Sequence, residues 1–191
     1  MRQEPAPVLR ADARRNTAQI REAALSVFRD RGLSVPLEEV AAAAGVSKAT
    51  IFNRFGGRVG LIETVVDQIV AVEMDRIVAH TRSLPEPRER IVHYVTAMRD
   101  LQYDRPAAND VLLQAYPHSA QLMDICRAAG EMNAELIADG RAAGALHPQV
   151  GEADLHALVV DNALALKHGA RPERADYDRR TGFVLHGICS D

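Results

Sequence analysis

The apolar residues of this chain recur every three to four positions along most of its 191 residues. That spacing is typical of amphipathic α-helices, and no segment alternates apolar and polar residues with the period of a β-strand. Prolines and glycines divide the pattern into about nine segments, so the sequence predicts an all-α fold. Beyond the first sixty or so residues, the predicted helices cover 58–82, 88–103, 106–117, 119–143, 152–168 and 173–187.

The segment 36–55 contains two short predicted helices joined by a glycine. The apolar face of the first helix stops at Gly45, and glycine readily adopts the left-handed conformation that ends a helix. Ser47 suits the N-cap of the second helix, which turns Ile51 and Phe55 inward. The side chains left facing outward are Lys48, Asn53 and Arg54. This arrangement is a helix-turn-helix, the unit that lays its second helix in the major groove of DNA.

The residues before this motif supply another helix. Residues 1–13 show no periodicity and are predicted to form a flexible arm, and a helix is predicted over about 14–32. The inner stripe of that helix consists of Ile20, Ala24, Val27 and Phe28. We therefore predict an N-terminal three-helix domain over 1–60 and a C-terminal helical domain over 61–191.

Charge is distributed unevenly between these two predicted domains. Residues 1–60 carry 10 Lys and Arg against 6 Asp and Glu, a net charge of +4. The remaining residues carry 13 against 20, a net charge of −7. A basic domain that also contains the helix-turn-helix is what a phosphate-binding module attached to a separate partner domain would show.

Composition argues against a membrane protein and against a secreted one. The chain has no apolar run near 18 residues and no apolar segment behind its N-terminus, so neither a membrane span nor a secretory signal is predicted. Cys126 and Cys189 lie far apart and are interpreted as unpaired thiols. Unpaired thiols fit a reducing compartment, so a cytoplasmic location is expected.

The sequence contains no motif that predicts an enzyme. It lacks a glycine-rich phosphate loop, a nucleophile elbow and a metalloprotease motif. His186 and Cys189 are three positions apart on a predicted helix, but two ligands are weak evidence for a metal site. We therefore expect a protein that is not an enzyme and that needs neither a cofactor nor a metal.

The first 62 residues resemble the TetR family of transcriptional regulators. The matching residues are Ile20, Ala23, Ala24, Phe28, Gly32, Val40, Ala41, Ala44, Gly45, Val46, Ser47, Thr50, Ile51, Phe52, Phe55, Arg58 and Leu61. The remaining residues match the family only in length and helix pattern. The resemblance implies a DNA-binding head and a C-terminal body that binds a ligand and forms a dimer.

The resemblance implies that the second helix of the motif contacts DNA. The predicted DNA-binding residues are Arg15, Ser47, Lys48, Thr50, Phe52, Asn53, Arg54 and Arg58. Asn53 is the best candidate for reading a base, since its amide can pair with adenine through two hydrogen bonds. Phe52 stands where the family usually has a tyrosine, and it cannot donate the hydrogen bond that a tyrosine makes to a phosphate.

In the C-terminal body, several side chains are candidates for lining a ligand cavity. They are Tyr94, Met98, Tyr116, Met123 and Asn162. Aromatic residues are scarce and methionine is adaptable, so a flexible and largely aliphatic effector is expected. Asn162 interrupts an apolar stripe, and a buried polar group needs a partner, either across a dimer interface or on a ligand.

The last two predicted helices, 152–168 and 173–187, carry apolar residues on more than one face. Because one face needs a partner, we predict a homodimer whose interface includes Leu155, Leu158, Val159, Val184 and Ile188. The expected function is a repressor that a small molecule releases from a near-palindromic DNA operator. The alternative is a helical scaffold that binds a protein or metabolite and has lost operator reading, which only the departure at Phe52 supports.

Overall fold

The computed structural model describes residues 7–113 and 119–190, and the predicted all-α fold is confirmed. Ten α-helices and one π-helical turn form the described part of the chain, which contains no strand. The helices are α1 (Pro7–Arg31), α2 (Leu37–Ala43), α3 (Lys48–Phe55), α4 (Arg58–Glu63), α5 (Val72–Ser83), α6 (Pro87–Asp104), α7 (Pro106–Leu112), α8 (Ala120–Ala142), α9 (Glu152–His168) and α10 (Arg174–Ile188), with the π turn at Asp67–Ala71.

Helix α1 begins earlier than the sequence pattern predicts. It starts at Pro7, so the prediction of a flexible arm is wrong for residues 7–13. This segment has no apolar stripe, but it is rich in Ala, Leu and Arg, which favour helices even without one. Proline also suits the first turn of a helix, where its missing N–H costs nothing. The rest of the predicted arm, 1–6, lies outside the described residues.

The single helix predicted over 58–82 is instead two helices joined through the π turn. Its buried residues fall in pairs four positions apart: Leu61 and Ile62, Val65 and Val66, Ile69 and Val70. Four residues of α-helix turn through about 400°, so each pair is rotated by about 40° around the helix axis relative to the pair before it. A π turn winds more loosely and returns the later pair to the buried face. The break therefore keeps this apolar segment against one core.

The other predicted helices agree with the structure to within about two residues. The predicted helix over 106–117 corresponds to α7, which ends at Leu112, and residues 114–117 lie outside the described part of the chain. Pro87 opens α6, and Pro106 opens α7, each in the first turn of its helix. These prolines fix where the helices begin.

The buried apolar residues form one continuous cluster that extends from Ile20 in α1 to Cys189 after α10. Helix α6 is central in the body, since it packs against α5, α7, α8, α9 and α10. Helix α1 packs against α2 and also against α7 and the π turn. The predicted boundary at residue 60 stays a prediction, because the core passes through it. Among the described helices, none combines the length and apolar character needed to cross a bilayer.

Candidate nucleic-acid interface and ligand cavity

The turn between α2 and α3 has the geometry that the sequence predicts. Gly45 adopts a left-handed φ of 63°, and the N–H of Val46 donates to the carbonyl of Ala41 at 2.9 Å. Ser47 caps α3, because its Oγ accepts from the backbone N–H of Thr50 at 3.2 Å. The hydroxyls of Ser47 and Thr50 also lie 2.9 Å apart. The start of α3 is thus fixed by local contacts alone.

Helix α3 has one buried side and one exposed side. Ile51 is fully buried and Phe55 is half-buried, so both anchor the helix to the core of the head. Apart from Ala49, the exposed side chains of this helix are Lys48, Phe52, Asn53 and Arg54. We call this set the α3 surface. It presents a cation at each end, an amide, and an apolar ring.

The ring of Phe52 lies at the edge of the α3 surface and not in the core. It is 50% exposed, and it packs so closely over Gly57 that a β-carbon there would lie 2.9 Å from the ring. Gly57 has a φ of 98°, which also favours glycine. The ammonium of Lys48 stands 5.9 Å from the ring centroid. Phe52 therefore offers an apolar contact at the position where a tyrosine would place its hydroxyl.

Lys48 and Arg58 are engaged within the protein. The Nζ of Lys48 donates to Glu38 at 2.6 Å, and this hydrogen bond is the main reason why the pKa of Glu38 is lowered. The Nη1 of Arg58 donates to the carbonyl of Leu33 at 2.8 Å, in the loop between α1 and α2. Arg15 is exposed on α1. All three remain predicted DNA contacts, and Arg58 also holds this loop against α4.

Two of the predicted ligand-binding residues, Tyr94 and Met98, line a cavity of about 180 Å³ between α6, α7, α8 and α9. Two others, Met123 and Asn162, do not line it. Met123 is 40% exposed on α8 and does not line the cavity, because it lies on the solvent side of that helix. Tyr116 lies outside the described residues. Burial raises the pKa of Tyr94, whose hydroxyl makes a long contact of 3.4 Å to the carbonyl of Ala129.

Asn162 belongs to an internal hydrogen-bond network and not to the cavity lining. Its Nδ2 donates to Oε1 of Gln102 at 2.7 Å and to the hydroxyl of Tyr177 at 2.8 Å. The Tyr177 hydroxyl in turn donates to the carbonyl of Arg99 at 2.7 Å. The partner that Asn162 needs is thus supplied within the protomer, which corrects its assignment to a ligand. Asn162 joins α9 to α6 and α10.

A more open groove of about 360 Å³ lies between α5 and α6. It is lined by charged residues, but Asp104 is paired with Arg174 at 3.6 Å and Glu73 with Arg76 at 3.0 Å. His93 lies here, with its Nδ1 2.9 Å from the hydroxyl of Thr81, and burial lowers its pKa. Several of the charges in this groove are paired within the protein and the groove is open to solvent, so the smaller and more enclosed cavity is the better candidate for a ligand.

The predicted dimer residues divide into two groups. Leu155 is 2% exposed and Ile188 is 8% exposed, and both pack in the core of the protomer, so neither is free to form an interface. Leu158, Val159 and Val184 are only partly buried. Two exposed apolar side chains outside the predicted interface set lie on the same helices: Leu164 at 42% and Phe183 at 68% exposure. Exposed apolar residues therefore remain on α9 and α10, but they include Leu164 and Phe183 in place of Leu155 and Ile188.

The comparisons with known proteins decide the family. A family model described as "Bacterial regulatory proteins, tetR family" matches residues 20–65, which span the second half of α1 together with α2, α3 and α4. Residues 20–65 therefore form a TetR-family DNA-binding domain. No curated protein sequence matches the chain.

Solved structures of TetR-family proteins share the whole fold. A regulatory protein from Rhodococcus RHA1 has a TM-score of 0.63 and 20% identity, over 92% of this chain and 98% of that one. The ketosteroid transcriptional regulator KstR2 of Mycobacterium tuberculosis has 0.61 and 20%, over 93% and 96%. The regulator SCO0520 from Streptomyces coelicolor has 0.56 and 25%, over 90% and 97%. The likeness therefore extends over head and body.

Sequence reasoning missed two polar residues in the body of the protein. Asn133 is 6% exposed and lines the cavity, and its Oδ1 has no hydrogen-bond partner among the described residues. Asp110 is 2% exposed and binds both Leu33 and Lys167. Asp110 falls in the short, mixed segment between Pro106 and Leu113, where no stripe marks it as buried. Asn133 follows Met132 on α8, a helix with a wide apolar face. A polar residue within that face was the signal that could have identified it.

Proposed function

We propose that this protein is a sequence-specific DNA-binding regulator of the TetR family, and that it acts as a dimeric repressor released from a near-palindromic operator by a small molecule. The observation that carries the DNA-binding role is the α3 surface. Lys48, Asn53 and Arg54 are exposed together on a helix whose start is capped by Ser47 and whose other side is buried. A recognition helix needs this combination, because its side chains must reach DNA from a fixed backbone.

Within the α3 surface, the cations position the protein and Asn53 specifies sequence. Lys48 and Arg54 provide phosphate contacts, which set the register on DNA but carry no sequence information. Arg58 uses one nitrogen to hold Leu33, and the remaining N–H groups of its guanidinium can serve a phosphate. Phe52 contributes an apolar contact to sugar or to a thymine methyl group in place of a hydrogen bond.

A gel-shift assay with genomic fragments tests the DNA-binding role. We expect a few fragments to be retarded at nanomolar protein and competitor DNA to leave those complexes intact. Binding should weaken steeply as salt rises, because phosphate contacts release counterions. Uniform weak binding to all fragments would contradict the proposal and favour the scaffold alternative.

The dimer is proposed to form through α9 and α10. The exposed side chains of Leu164 and Phe183, together with the partly buried Leu158, Val159 and Val184 of the same two helices, support an apolar contact between two copies. A two-fold dimer also sets two recognition helices about 34–36 Å apart, the spacing of successive major grooves. Phe183→Asp should give a folded monomer by sedimentation, with greatly weakened operator binding. The matched exposed change Asp178→Ala on α10 should leave the dimer intact.

The effector is proposed to be a small, neutral and mostly apolar molecule with one hydrogen-bond donor. The cavity of about 180 Å³ has no Lys, Arg, Asp or Glu among its described lining residues, and the Asn133 oxygen is an acceptor in need of a donor. An apolar cavity of about 150 Å³ is known to hold benzene.

Release from the operator requires that the effector bind the non-DNA conformation more tightly. A tenfold preference per site would supply about 1.4 kcal/mol. A thermal-shift screen of short-chain alcohols, amides, phenols and planar cationic dyes tests the effector class, followed by operator-release assays on the hits. Stabilisation by the dyes alone would overturn it. Asn133→Leu should abolish the response to donor-bearing compounds while leaving DNA binding unchanged.

A further inference from the structure

One buried carboxylate joins three separate parts of the molecule. Asp110 lies on α7 and is 2% exposed. Its Oδ2 accepts from the backbone N–H of Leu33 at 2.5 Å, in the loop between α1 and α2. Its Oδ1 pairs with the ammonium of Lys167 in the last turn of α9. The carboxylate therefore connects the head to a helix of the proposed dimer interface.

The loop that Asp110 holds is fixed from its other side by the head. The carbonyl of Leu33 accepts from Arg58, the first residue of α4, which follows α3 after only two glycines. Leu33 itself is fully buried. The N–H of Leu33 is thus held by Asp110 of the body, and its carbonyl is held by Arg58 of the head. A displacement of Asp110 would reach α3 through this loop, in addition to the packing of α1 against α7.

The fit of the carboxylate against the loop is close. Gly32 has a φ of 86°, and a β-carbon added there would lie 2.8 Å from Oδ2 of Asp110. The loop therefore has room for the carboxylate only because residue 32 is glycine. A tight contact of this kind transmits a movement instead of absorbing it.

The two helices that hold the carboxylate are also walls of the cavity. Leu112 lines it from α7, two residues after Asp110, and Val160 lines it from α9, about two turns before Lys167. A molecule in the cavity that changes the separation of α7 and α9 must also change the Asp110–Lys167 pair. A buried ion pair is sensitive to such a change, because an uncompensated charge is costly there.

We propose that Asp110 and Lys167 are the positioning residues that couple occupancy of the cavity to the orientation of the DNA-binding head. The inference rests on the proposed function for the identity of the two sites it connects. The coupling element itself consists only of contacts within the protomer, and it can be measured without DNA.

Hydrogen exchange at the Leu33 amide tests the element directly in the full-length protein. We compare the wild type with Asp110→Asn, which keeps the shape, and Lys167→Met, which keeps the stem of the side chain. The control is Glu135→Gln, which removes a charge from the exposed pair with Arg82. We expect exchange at Leu33 to rise about tenfold in Asp110→Asn, since a neutral acceptor makes a weaker bond than a carboxylate. We expect a similar rise in Lys167→Met, because the buried carboxylate then lacks the cation that holds it in position. The control should match the wild type.

Exchange at core amides of α6 is the control for a general loss of stability. These amides should exchange alike in all four proteins, so that the rise is confined to Leu33 and its neighbours. Equal exchange at Leu33 in both variants and in the control would overturn the proposal. So would a rise of the same size throughout α6, because the pair would then serve only to stabilise the fold.

The coupling to the cavity is tested with benzyl alcohol as the probe, since it has one ring and one donor. In the wild type, millimolar benzyl alcohol should change exchange at Leu33, and in Lys167→Met this response should be lost while exchange at Asn133 still responds. A response at Asn133 without any at Leu33 in the wild type would overturn the coupling. Absence of selective DNA binding by the wild type would instead contradict the proposed function, and the exchange result at Leu33 would stand.

Discussion

The head and the body of this protein place their polar groups in opposite ways. In the head, the charged contacts beside the recognition helix are exposed: the side chains of Lys48 and Glu38 are 47% and 61% accessible. In the body, Asn162 and Asp110 are 9% and 2% exposed, and each makes two hydrogen bonds to distant parts of the chain. Both regions carry exposed charges, but the buried polar side chains of the described residues all lie in the body, where several of them join helices.

This difference separates binding from stability. An exposed ion pair contributes little to folding, so the side chains of the α3 surface are available for exchange with DNA phosphates at small cost. A buried hydrogen-bonded group is costly to remove, because its partners are left without water. We therefore expect substitutions on the α3 surface to change DNA binding, and substitutions in the buried networks to change the free energy of unfolding. Substitutions in each region test whether binding and stability separate in this way.

The largest effect is expected for Asn162→Ala. The substitution leaves Oε1 of Gln102 without its donor and removes a bond to the Tyr177 hydroxyl, so the free energy of unfolding should fall by about 2–3 kcal/mol. Urea denaturation followed by circular dichroism measures it. Asp161→Ala, at the exposed neighbouring position, should change stability by less than about 0.5 kcal/mol. If the two variants lose equal stability, the buried network does not have the role described here.

An intermediate effect is expected for Ser47→Ala, which removes the cap of α3. The N–H of Thr50 loses its side-chain acceptor, and such losses cost about 0.5–2 kcal/mol. The same denaturation experiment applies. Ser26→Ala, at an exposed position in the middle of α1, is the matched control and should be neutral or slightly stabilising, since alanine favours helices. A cost in the control as large as that at Ser47 would contradict the capping account.

The smallest effect on folding is expected for Lys48→Ala. The pair with Glu38 is exposed, so the free energy of unfolding should change by less than about 0.5 kcal/mol. Operator binding should weaken for every sequence, and the slope of log K against log salt should decrease by about one. Fluorescence anisotropy at several salt concentrations measures this slope. Arg127→Ala, on the exposed side of α8, should leave both quantities unchanged. An unchanged slope for Lys48→Ala would remove this residue from the interface.

The head could be predicted from sequence because its structure depends on local contacts. The turn at Gly45, the cap at Ser47 and the burial of Ile51 are all set by residues within about ten positions. The start of α1 was the exception, since residues 7–13 form a helix without an apolar stripe. The spacing of apolar residues indicates which face a helix buries. It gives no indication of a helix that forms through the helix propensity of its residues alone.

The body could be predicted only as a set of helices. Helix α9 packs against α6, α7 and α8, so neither its burial nor its exposure follows one stripe. Leu155 and Ile188 are core residues, whereas Leu164 and Phe183 are exposed. The partners of Asn162 lie 60 and 15 positions away, and the partner of Asp110 in the loop lies 77 positions away. Pairings over such separations are set by the tertiary fold, which spacing along the chain does not encode.

Selection from random-sequence DNA, with the wild type and Asn53→Ala side by side, tests the central claim that the α3 surface reads an operator. We predict that the wild type enriches a near-palindromic sequence with half-sites about 10 base pairs apart. Asn53→Ala should enrich the same sequence with one position per half-site relaxed, a loss of about 1–3 kcal/mol of discrimination there. No enriched sequence with the wild type, or an identical profile for the two proteins, would contradict the account.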